Sequence, residues 1–278
     1  MSQLVNESIV EVDETRAPVS LVFIGHVDAG KSTISGNLMF AMGVVDIRTI
    51  QKYKDEAKEK NRESWWLAYV MDINEEEKAK GKTVEIGRAT FDTSKKRWTL
   101  FDAPGHKNYV PNMIMGAALA DYGALVISAK KGEFEAGFEF DGQTREHVQL
   151  AKSLGIYKLV IVVNKMDEAT VKWSKDRYNE IVASLRPFLA SCGYDPDRDC
   201  TYIPVSGING ENIKEPINKN VCNWYSGPYL LELLDNLDLP PRDANGPLRI
   251  PVLDKMRDRG VVIFGKVESG TVNLGDKI

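Results

Sequence analysis

Residues 25–32 are Gly-His-Val-Asp-Ala-Gly-Lys-Ser, a stretch of the form G-x-x-x-x-G-K-S that predicts a phosphate-binding loop. The apolar run before it, residues 19–24, is typical of a buried strand, and residues 33–42 have a helical pattern. In such a unit the glycines let backbone N–H groups turn towards a phosphate, and the helix N-terminus adds partial positive charge. We expect Lys31 to reach the β- and γ-phosphates and Ser32 to hold Mg²⁺.

The rest of the chain indicates the fold around this loop. Short apolar runs alternate with helical patterns, as parallel strands covered by helices require; the runs are residues 97–101, 124–128, 159–163 and 201–205. Residues 85–92 are expected to form an edge strand in a hairpin with the first of these runs. The sequence therefore predicts an α/β fold of the P-loop NTPase type, with a doubly wound, mostly parallel sheet. Its ligand-binding loops should lie at the carboxyl ends of the strands.

Three helical segments have recognisable faces. Residues 178–189 form an apolar stripe in which Pro187 indicates a late kink or end. A second stripe, residues 147–154, is followed by Gly155 as a C-terminal cap. The charged run at 52–62 has helical spacing and predicts a solvated helix face.

Composition shifts divide the chain into four parts. Residues 1–16 are acidic and lack an apolar core, which predicts a flexible tail, and residues 17–240 contain the alternating pattern of the nucleotide-binding domain. Residues 241–247 are rich in Pro, Asp, Asn and Gly and predict a linker. Residues 248–278 carry antiparallel strand signals over 248–253, 261–268 and 271–278. These are too short to close a barrel, so we expect the start of a second, all-β barrel domain that is cut short.

Bulk composition excludes several classes of protein. A net charge of −4 argues against binding nucleic acid by overall electrostatics, and no sequence-specific nucleic-acid binding is expected. No run reaches the length of a transmembrane helix, and the N-terminus is not a signal peptide, so no membrane association is expected. Three cysteines without metal-type spacing are typical of reduced thiols, which favours a cytoplasmic protein.

A second motif, Asp-Ala-Pro-Gly-His, occupies residues 102–106 directly after a predicted strand. Asp102 is placed to hold a water bound to Mg²⁺, and Gly105 can bring its N–H against a γ-phosphate. His106 follows that glycine, and an imidazole there can orient the attacking water and stabilise developing charge. His106 is therefore the catalytic candidate, rather than His26 in the loop or His147 on a helix.

A third motif, Asn-Lys-Met-Asp at residues 164–167, also follows a predicted strand. Guanine presents two neighbouring N–H donors that Asp167 can accept together, a contact that adenine does not offer. Asn164 can tie this loop to the phosphate loop and reach the base, while the stem of Lys165 lies on the ring. Ser206 and Gly207, after the next strand, can offer a backbone N–H to guanine O6. These features favour GTP over the alternative of a P-loop kinase or ATPase.

A second hydroxyl ligand for Mg²⁺ is expected between the first two motifs. Thr83 lies in this interval within Gly-Lys-Thr, but Thr49, Thr90 and Thr93 fit the interval equally on composition. The residues alone therefore leave the choice open.

The order of these motifs resembles that of the translational GTPases, which include elongation factors Tu and 1-alpha. The chain is most similar to the eukaryotic class II peptide-chain release factors, and the similarity covers nearly all of residues 17–278. The stretches that carry it are residues 58–65, 81–85, 130–135, 142–147 and 248–252. The resemblance implies that Thr83 is the switch I ligand of Mg²⁺, that Asp102 and Gly105 belong to switch II, and that His106 positions the water.

The resemblance completes the expected site. The residues expected to contact GTP or GDP are His26, Val27, Asp28, Ala29, Gly30, Lys31, Ser32, Thr33, Gly105, Asn164, Lys165, Asp167, Ser206, Gly207 and Ile208, with Ser32, Thr83 and Asp102 as metal ligands. Lys82 stands where elongation factors have an isoleucine of the apolar gate before the catalytic histidine.

The resemblance also implies a function and partners. A factor of this family is a GTPase that carries the stop-codon-reading class I release factor to the ribosome and couples GTP hydrolysis to peptide release. The ribosome and the partner factor are expected to stimulate its hydrolysis. The domain that binds the partner comes later in the family, beyond this chain. The alternatives are a ribosome-rescue GTPase, an elongation factor that delivers aminoacyl-tRNA, and a guanine-nucleotide-binding scaffold without hydrolysis.

Overall fold

The structure is a computed structural model that describes residues 16–61, 63–71, 83, 86–139, 142–257 and 260–277. The predicted acidic tail therefore lies outside the described residues except for Arg16. Lys82 and the other residues that flank Thr83 on either side also lie outside them.

A six-stranded sheet forms the centre of the molecule, in the order β2-β3-β1-β4-β5-β6. Its strands are β1 (Ala17–Ile24), β2 (Gly87–Asp92), β3 (Lys96–Asp102), β4 (Tyr122–Ser128), β5 (Lys158–Asn164) and β6 (Cys200–Pro204). All neighbouring strands are parallel except β2, which pairs antiparallel with β3 as the predicted edge hairpin. The predicted α/β architecture with a mostly parallel sheet is confirmed.

Helices cover both faces of this sheet. They are α1 (Lys31–Ala41), α2 (Ile47–Glu59), α3 (Val110–Leu119), α4 (Glu133–Phe138), α5 (Gln143–Ser153), α6 (Lys175–Ser191) and α7 (Leu230–Asn236). Two 3₁₀ helices, Glu63–Val70 and Lys107–Tyr109, complete the set in the described part of the chain. Helix α6 continues past Pro187 and ends four residues later, so the proline marks its last turn rather than its end. Among the described residues, no helix combines the length and apolar character needed to cross a membrane.

Alternation along the strands divides the core between the two faces of the sheet. In β1, Val22 and Ile24 pack on one side with α3, α5 and α6, while Leu21 and Phe23 pack on the other with α1 and α7. Successive side chains of a strand point to opposite faces, so a strand covered on both faces must be apolar throughout. The charged helix α2 buries only Ile50 and Ala57, which confirms the prediction of a solvated face.

The C-terminal region differs in part from the sequence prediction. Strands β7 (Val252–Arg257) and β8 (Val261–Gly265) form a two-stranded antiparallel sheet. Of the strand signal over residues 248–253, only Val252 and Leu253 lie in a strand. Pro251 lacks the N–H that a ladder needs, and Arg249 pairs only in an isolated bridge to Ser269. No strand forms over residues 271–277, where Asn273 and Asp276 close a turn instead. The division into linker and partial barrel domain stays a prediction.

Candidate functional site

The three sequence motifs meet at one edge of the sheet. They follow the carboxyl ends of β1, β3 and β5, and they surround a cavity of about 550 Å³. The predicted residues that line it are Val27, Asp28, Gly30, Lys31, Ser32, Thr33, Thr83, Gly105, His106, Asn164, Lys165, Asp167, Gly207 and Ile208. Because parallel strands place their carboxyl ends together, residues 140 positions apart can share one site.

The phosphate loop leaves the start of α1 without a cap. Gly30 is the N-cap, has a left-handed φ of 95° and carries no side chain that could bond the first turn. The N–H groups of Lys31, Ser32 and Thr33 therefore keep their hydrogen-bonding capacity beside the cavity. Together with the helix dipole, they form an arrangement suited to an anion such as a phosphate.

Lys31 is buried at the centre of this loop. Its Nζ donates to the carbonyl oxygens of Gly25 and His26, at 3.0 and 2.8 Å. Burial lowers the pKa of Lys31 to about 8, although the carboxylates of Asp102 and Asp28 act in the opposite direction. Electrostatic attraction from a polyanionic ligand would favour the charged ammonium in the same way.

The loop after β3 lies directly against the phosphate loop. A Cβ at Gly105 would approach Lys31 Nζ to 2.4 Å and the backbone N of Val27 to 3.0 Å, so a side chain here would displace the lysine and crowd the phosphate loop. Asp102 is fully buried at the end of β3 and does not line the cavity itself. His106 lies beside the cavity, half-buried, with its ring 5.8 Å from that of Tyr109.

Two hydroxyl groups predicted as metal ligands are adjacent in the structure. Ser32 Oγ and Thr83 Oγ1 lie 3.1 Å apart. Of the four threonines that the interval allowed, Thr83 is the one that lines the cavity. In the described residues no cluster of three or more His, Cys, Asp or Glu side chains could hold a metal by itself. A cation here would therefore depend on hydroxyl groups, on Asp102 and on oxygen atoms of the ligand.

Asn164 joins two loops across the cavity. Its Nδ2 donates to Ala29 O at 2.9 Å, and its Oδ1 accepts from Gly207 N–H at 2.8 Å. A Cβ at Gly30 would lie only 2.2 Å from Nδ2, so the glycine is needed for this approach. The predicted link between the phosphate loop and the loop after β5 is therefore present, and Asn164 is buried in making it.

We expect Asn164→Ala to destabilise the nucleotide-free chain by about 2–4 kcal/mol, because a buried carbonyl and a buried N–H would both lose their partner. Denaturant unfolding of the chain measures this change. Asn220→Ala is the matched control, since Asn220 is exposed and lies away from the cavity. An Asn164→Ala loss no larger than that of the control would contradict the role of this link.

The loop after β6 offers fewer donors than the sequence suggested. The N–H of Ser206 donates to Glu211 O at 3.1 Å, and that of Gly207 is used by Asn164. Within the described chain the N–H of Ile208 donates to no other group, and Ile208 lines the cavity. Ile208 is thus the residue of this loop best placed to donate to a ligand.

Three predicted nucleotide contacts, His26, Ala29 and Ser206, and the predicted metal ligand Asp102 do not line the cavity. His26 and Ala29 line a separate small space behind the phosphate loop, against Phe134 and Gly137. Burial lowers the pKa of His26, and the charge of Lys31 lowers it further.

A buried histidine that the sequence did not assign to the site anchors the phosphate loop. His147 on α5 is fully buried, and its Nδ1 accepts the N–H of Gly25 at 3.0 Å. Burial, helped by the charge of Lys31, lowers the pKa of His147 to about 3. The ring is therefore neutral, as acceptance of an N–H requires.

Because His147 has a lowered pKa in the folded chain, we expect the free energy of unfolding to depend on pH. The unfolded chain binds a proton to His147 below about pH 6.5, whereas the folded chain does not until about pH 3. The unfolded state therefore holds more protons in this window, and the free energy of unfolding should fall as pH drops, by about 1.4 kcal/mol per pH unit from this group. Urea unfolding of the chain and of His147→Gln between pH 7.5 and 5 measures the difference, and equal slopes would contradict it.

Five residues outside the predicted site also line the cavity: Trp65, Ala68, Lys130, Glu133 and Glu168. Lys130 and Glu133 follow the carboxyl end of β4, so the rule that ligands bind at that edge could have identified them. Trp65 and Ala68 belong to the 3₁₀ helix Glu63–Val70, which packs against α1. No sequence signal connects that helix with the cavity.

Comparison with known proteins shows which family the chain is similar to. A family model described as the elongation factor Tu GTP binding domain matches residues 17–240. Two relatives named eukaryotic peptide chain release factor GTP-binding subunit come from Dictyostelium discoideum and Kluyveromyces lactis, with 56% and 50% identity. The alignments cover 98% and 99% of this chain but 49% and 40% of those proteins, so the chain spans about half their length or less.

Solved structures agree with this placement. Sup35 complexed with GDP has a TM-score of 0.64 and 41% identity, over 96% of this chain and 56% of that chain. The GTP-bound Ski7 GTPase-like domain of S. cerevisiae has a TM-score of 0.74 over 92% of this chain and 59% of that chain. Its 21% identity supports a common fold and nothing further.

Proposed function

The chain belongs to the family of eukaryotic peptide chain release factor GTP-binding subunits, and we propose that it is the GTP-binding and GTP-hydrolysing part of a translation termination factor. The observation that carries the proposal is the meeting of three motif loops around one cavity, where Asn164 ties its own loop to the phosphate loop and to the loop after β6. Each loop supplies a different part of what a guanine nucleotide and its hydrolysis require.

The base is selected by the loop after β5. Asp167 accepts the two neighbouring N–H donors of guanine, and the N–H of Ile208 donates to guanine O6. Both residues line the cavity, and Asn164 and Gly207 hold their loops at a fixed separation. Adenine offers neither the paired donors nor the carbonyl, so the site favours GTP and GDP over adenine nucleotides.

The phosphates are held by the uncapped amides at the start of α1 and by Lys31. On binding, Lys31 Nζ exchanges the carbonyl oxygens of its own loop for phosphate oxygens. The residues fit Mg²⁺, because Ser32 and Thr83 bring two hydroxyl oxygens within 3.1 Å of each other. Asp102 adds a buried carboxylate whose charge acts on the adjacent Lys31. When bound, Mg²⁺ would neutralise charge on the phosphate oxygens.

Hydrolysis is assigned to the loop after β3. Gly105 can approach the γ-phosphate with its N–H because no side chain keeps it away from the phosphate loop. His106, the next residue, orients the attacking water. The proposed reaction converts GTP and water into GDP and phosphate, and the ribosome and the partner factor stimulate it.

The partners proposed for the longer protein that contains this chain are the stop-codon-reading class I release factor and the ribosome. The names of the relatives support this assignment, since each is the GTP-binding subunit of a peptide chain release factor. The same names, with the three free cysteines of the described chain, support a cytoplasmic location.

Stop-codon-dependent peptide release in a reconstituted translation system tests the function. We expect the longer protein to accelerate release by the class I factor only when GTP is present, and to be inactive with a non-hydrolysable analogue. Unchanged release on omission of the protein would refute the proposal. Tight binding of aminoacyl-tRNA by the same protein would instead favour delivery of aminoacyl-tRNA.

A further inference from the structure

We propose that Glu133 is a positioning residue for the base of the nucleotide, because its carboxylate holds Lys165 extended along the cavity wall. The inference rests on the proposed function and assigns Glu133 a part in it. Glu133 is the first residue of α4 and follows the last residue of β4, Ser128, by five positions. Both Glu133 and Lys165 line the cavity.

The carboxylate of Glu133 is surrounded by donors. Its Oε2 accepts from Lys165 Nζ at 2.7 Å and from Ser128 Oγ at 2.7 Å. Its Oε1 lies 3.0 Å from Lys130 Nζ. About a third of the side chain is exposed, so the ion pairs are only partly screened by water.

The support behind Glu133 is rigid. Ser128 is buried at the end of β4. Glu135 fixes the start of helix α4. Its Oε2 accepts the N–H of Gly132 at 2.6 Å, and its Oε1 forms an ion pair with Arg177 Nη2 at 2.8 Å. Arg177 is buried and also donates to Ala129 O at 2.9 Å. Glu133 therefore offers Lys165 a fixed anchor rather than a mobile surface charge.

The anchor determines the direction of the Lys165 side chain. Lys165 has a left-handed φ of 62° and lies between Asn164 and Asp167 in the loop that selects the base. With its ammonium held at Glu133, the four-carbon stem extends across the wall of the cavity. A guanine that donates to Asp167 then meets an apolar surface that is already ordered.

The carboxylate of Glu133 is ionised at neutral pH. Burial alone would raise its pKa, but hydrogen bonds from Lys165, Ser128 and Lys130 outweigh burial and lower the pKa to about 2. The anchor is thus independent of pH in the range where translation occurs. Its contribution should be the same for GDP and GTP, because it acts at the base and not at the γ-phosphate.

The test is a double-mutant cycle on the 278-residue chain with fluorescent GDP and GTP. We expect Glu133→Gln to weaken both nucleotides equally, on the order of 3- to 10-fold, as a side chain that must be ordered on binding loses affinity. In a Lys165→Met background, which keeps the stem without its ammonium, the same substitution should have no further effect. Glu139→Gln is the matched control, because Glu139 is exposed at the end of the same helix and lies away from the cavity.

Three results would overturn the inference. They are unchanged affinity in Glu133→Gln, a full additional loss in the Lys165→Met background, and a loss confined to GTP. Thermal unfolding of each variant without nucleotide separates positioning from damage to the fold, and a loss of affinity explained by unfolding would count against the inference. Failure of the unsubstituted chain to bind GDP would refute the proposed function instead.

Discussion

Asp167→Asn should remove most of the preference for guanine and give xanthine nucleotides the advantage. In the proposed site the carboxylate of Asp167 accepts two N–H donors of guanine, and hydrogen bonds to a charged group are worth about 1.5–3 kcal/mol each. Their loss corresponds to a decrease in GDP affinity on the order of 10²- to 10⁴-fold. Xanthine has a carbonyl where guanine has an amino group, so the asparagine amide can donate to it while its oxygen accepts the ring N–H.

Competition between GDP and xanthosine diphosphate for binding to the chain measures this change in base preference. Asp167 is half-buried, and its Oδ2 accepts from Asn209 at 3.2 Å, a contact that the asparagine oxygen can replace. A general structural defect is therefore not expected. Asp176→Asn, an exposed change in the first turn of α6, is the control. Retained guanine selectivity in Asp167→Asn would refute the assignment of the base site.

The sheet and the three motif loops could be predicted because their signals are local. Each strand appears as a short apolar run, and each motif directly follows one, so the rule on carboxyl ends brings the motifs together. Residues 102–106 and 164–167 are far apart in sequence, yet their strands are separated by only β1 and β4 in the sheet. The rule on carboxyl ends was enough to place Lys31, His106 and Asp167 around one cavity without knowledge of the strand order.

The supporting contacts could not be predicted, because they depend on side chains that meet only after folding. Nothing in the pattern around His147 indicates that its ring accepts the N–H of Gly25, 122 positions away. The hydrogen bonds of the loop after β6 were unpredictable for the same reason. Its sequence suggested Ser206 and Gly207 as donors, but competition from Glu211 and Asn164 leaves Ile208 for the ligand.

The contact between Glu133 and Lys165 could not be predicted for a different reason. An acidic residue at the start of a helix is usually explained by the helix dipole. The position of Glu133 after β4 places it at the ligand-binding edge of the sheet, but nothing in the sequence indicates that it pairs with Lys165. Only the distances to Ser128 and Lys165 reveal that the carboxylate faces inwards. The site is thus built from predictable loops and from an unpredictable set of residues that hold those loops in place.

His106→Ala should reduce stimulated GTP hydrolysis on the order of 10²- to 10³-fold while leaving nucleotide affinity unchanged. Nδ1 of His106 accepts the N–H of Asn108 at 3.2 Å, and this hydrogen bond assigns the proton of the neutral ring to Nε2. The free side of the ring is therefore a donor. We therefore expect His106 to act by donating a hydrogen bond to the water or to the developing charge, rather than by accepting a proton.

This tautomer predicts how other variants behave. His106→Gln keeps an amide donor, so its rate should fall between those of His106→Ala and the unsubstituted protein. Tyr109→Phe removes only a hydroxyl beside the ring and is the matched control. The measurement is single-turnover GTP hydrolysis by the longer protein with ribosomes and the class I factor. A Gln variant as slow as the Ala variant would contradict the donor role, because glutamine retains the donor and lacks only the capacity to take up a proton.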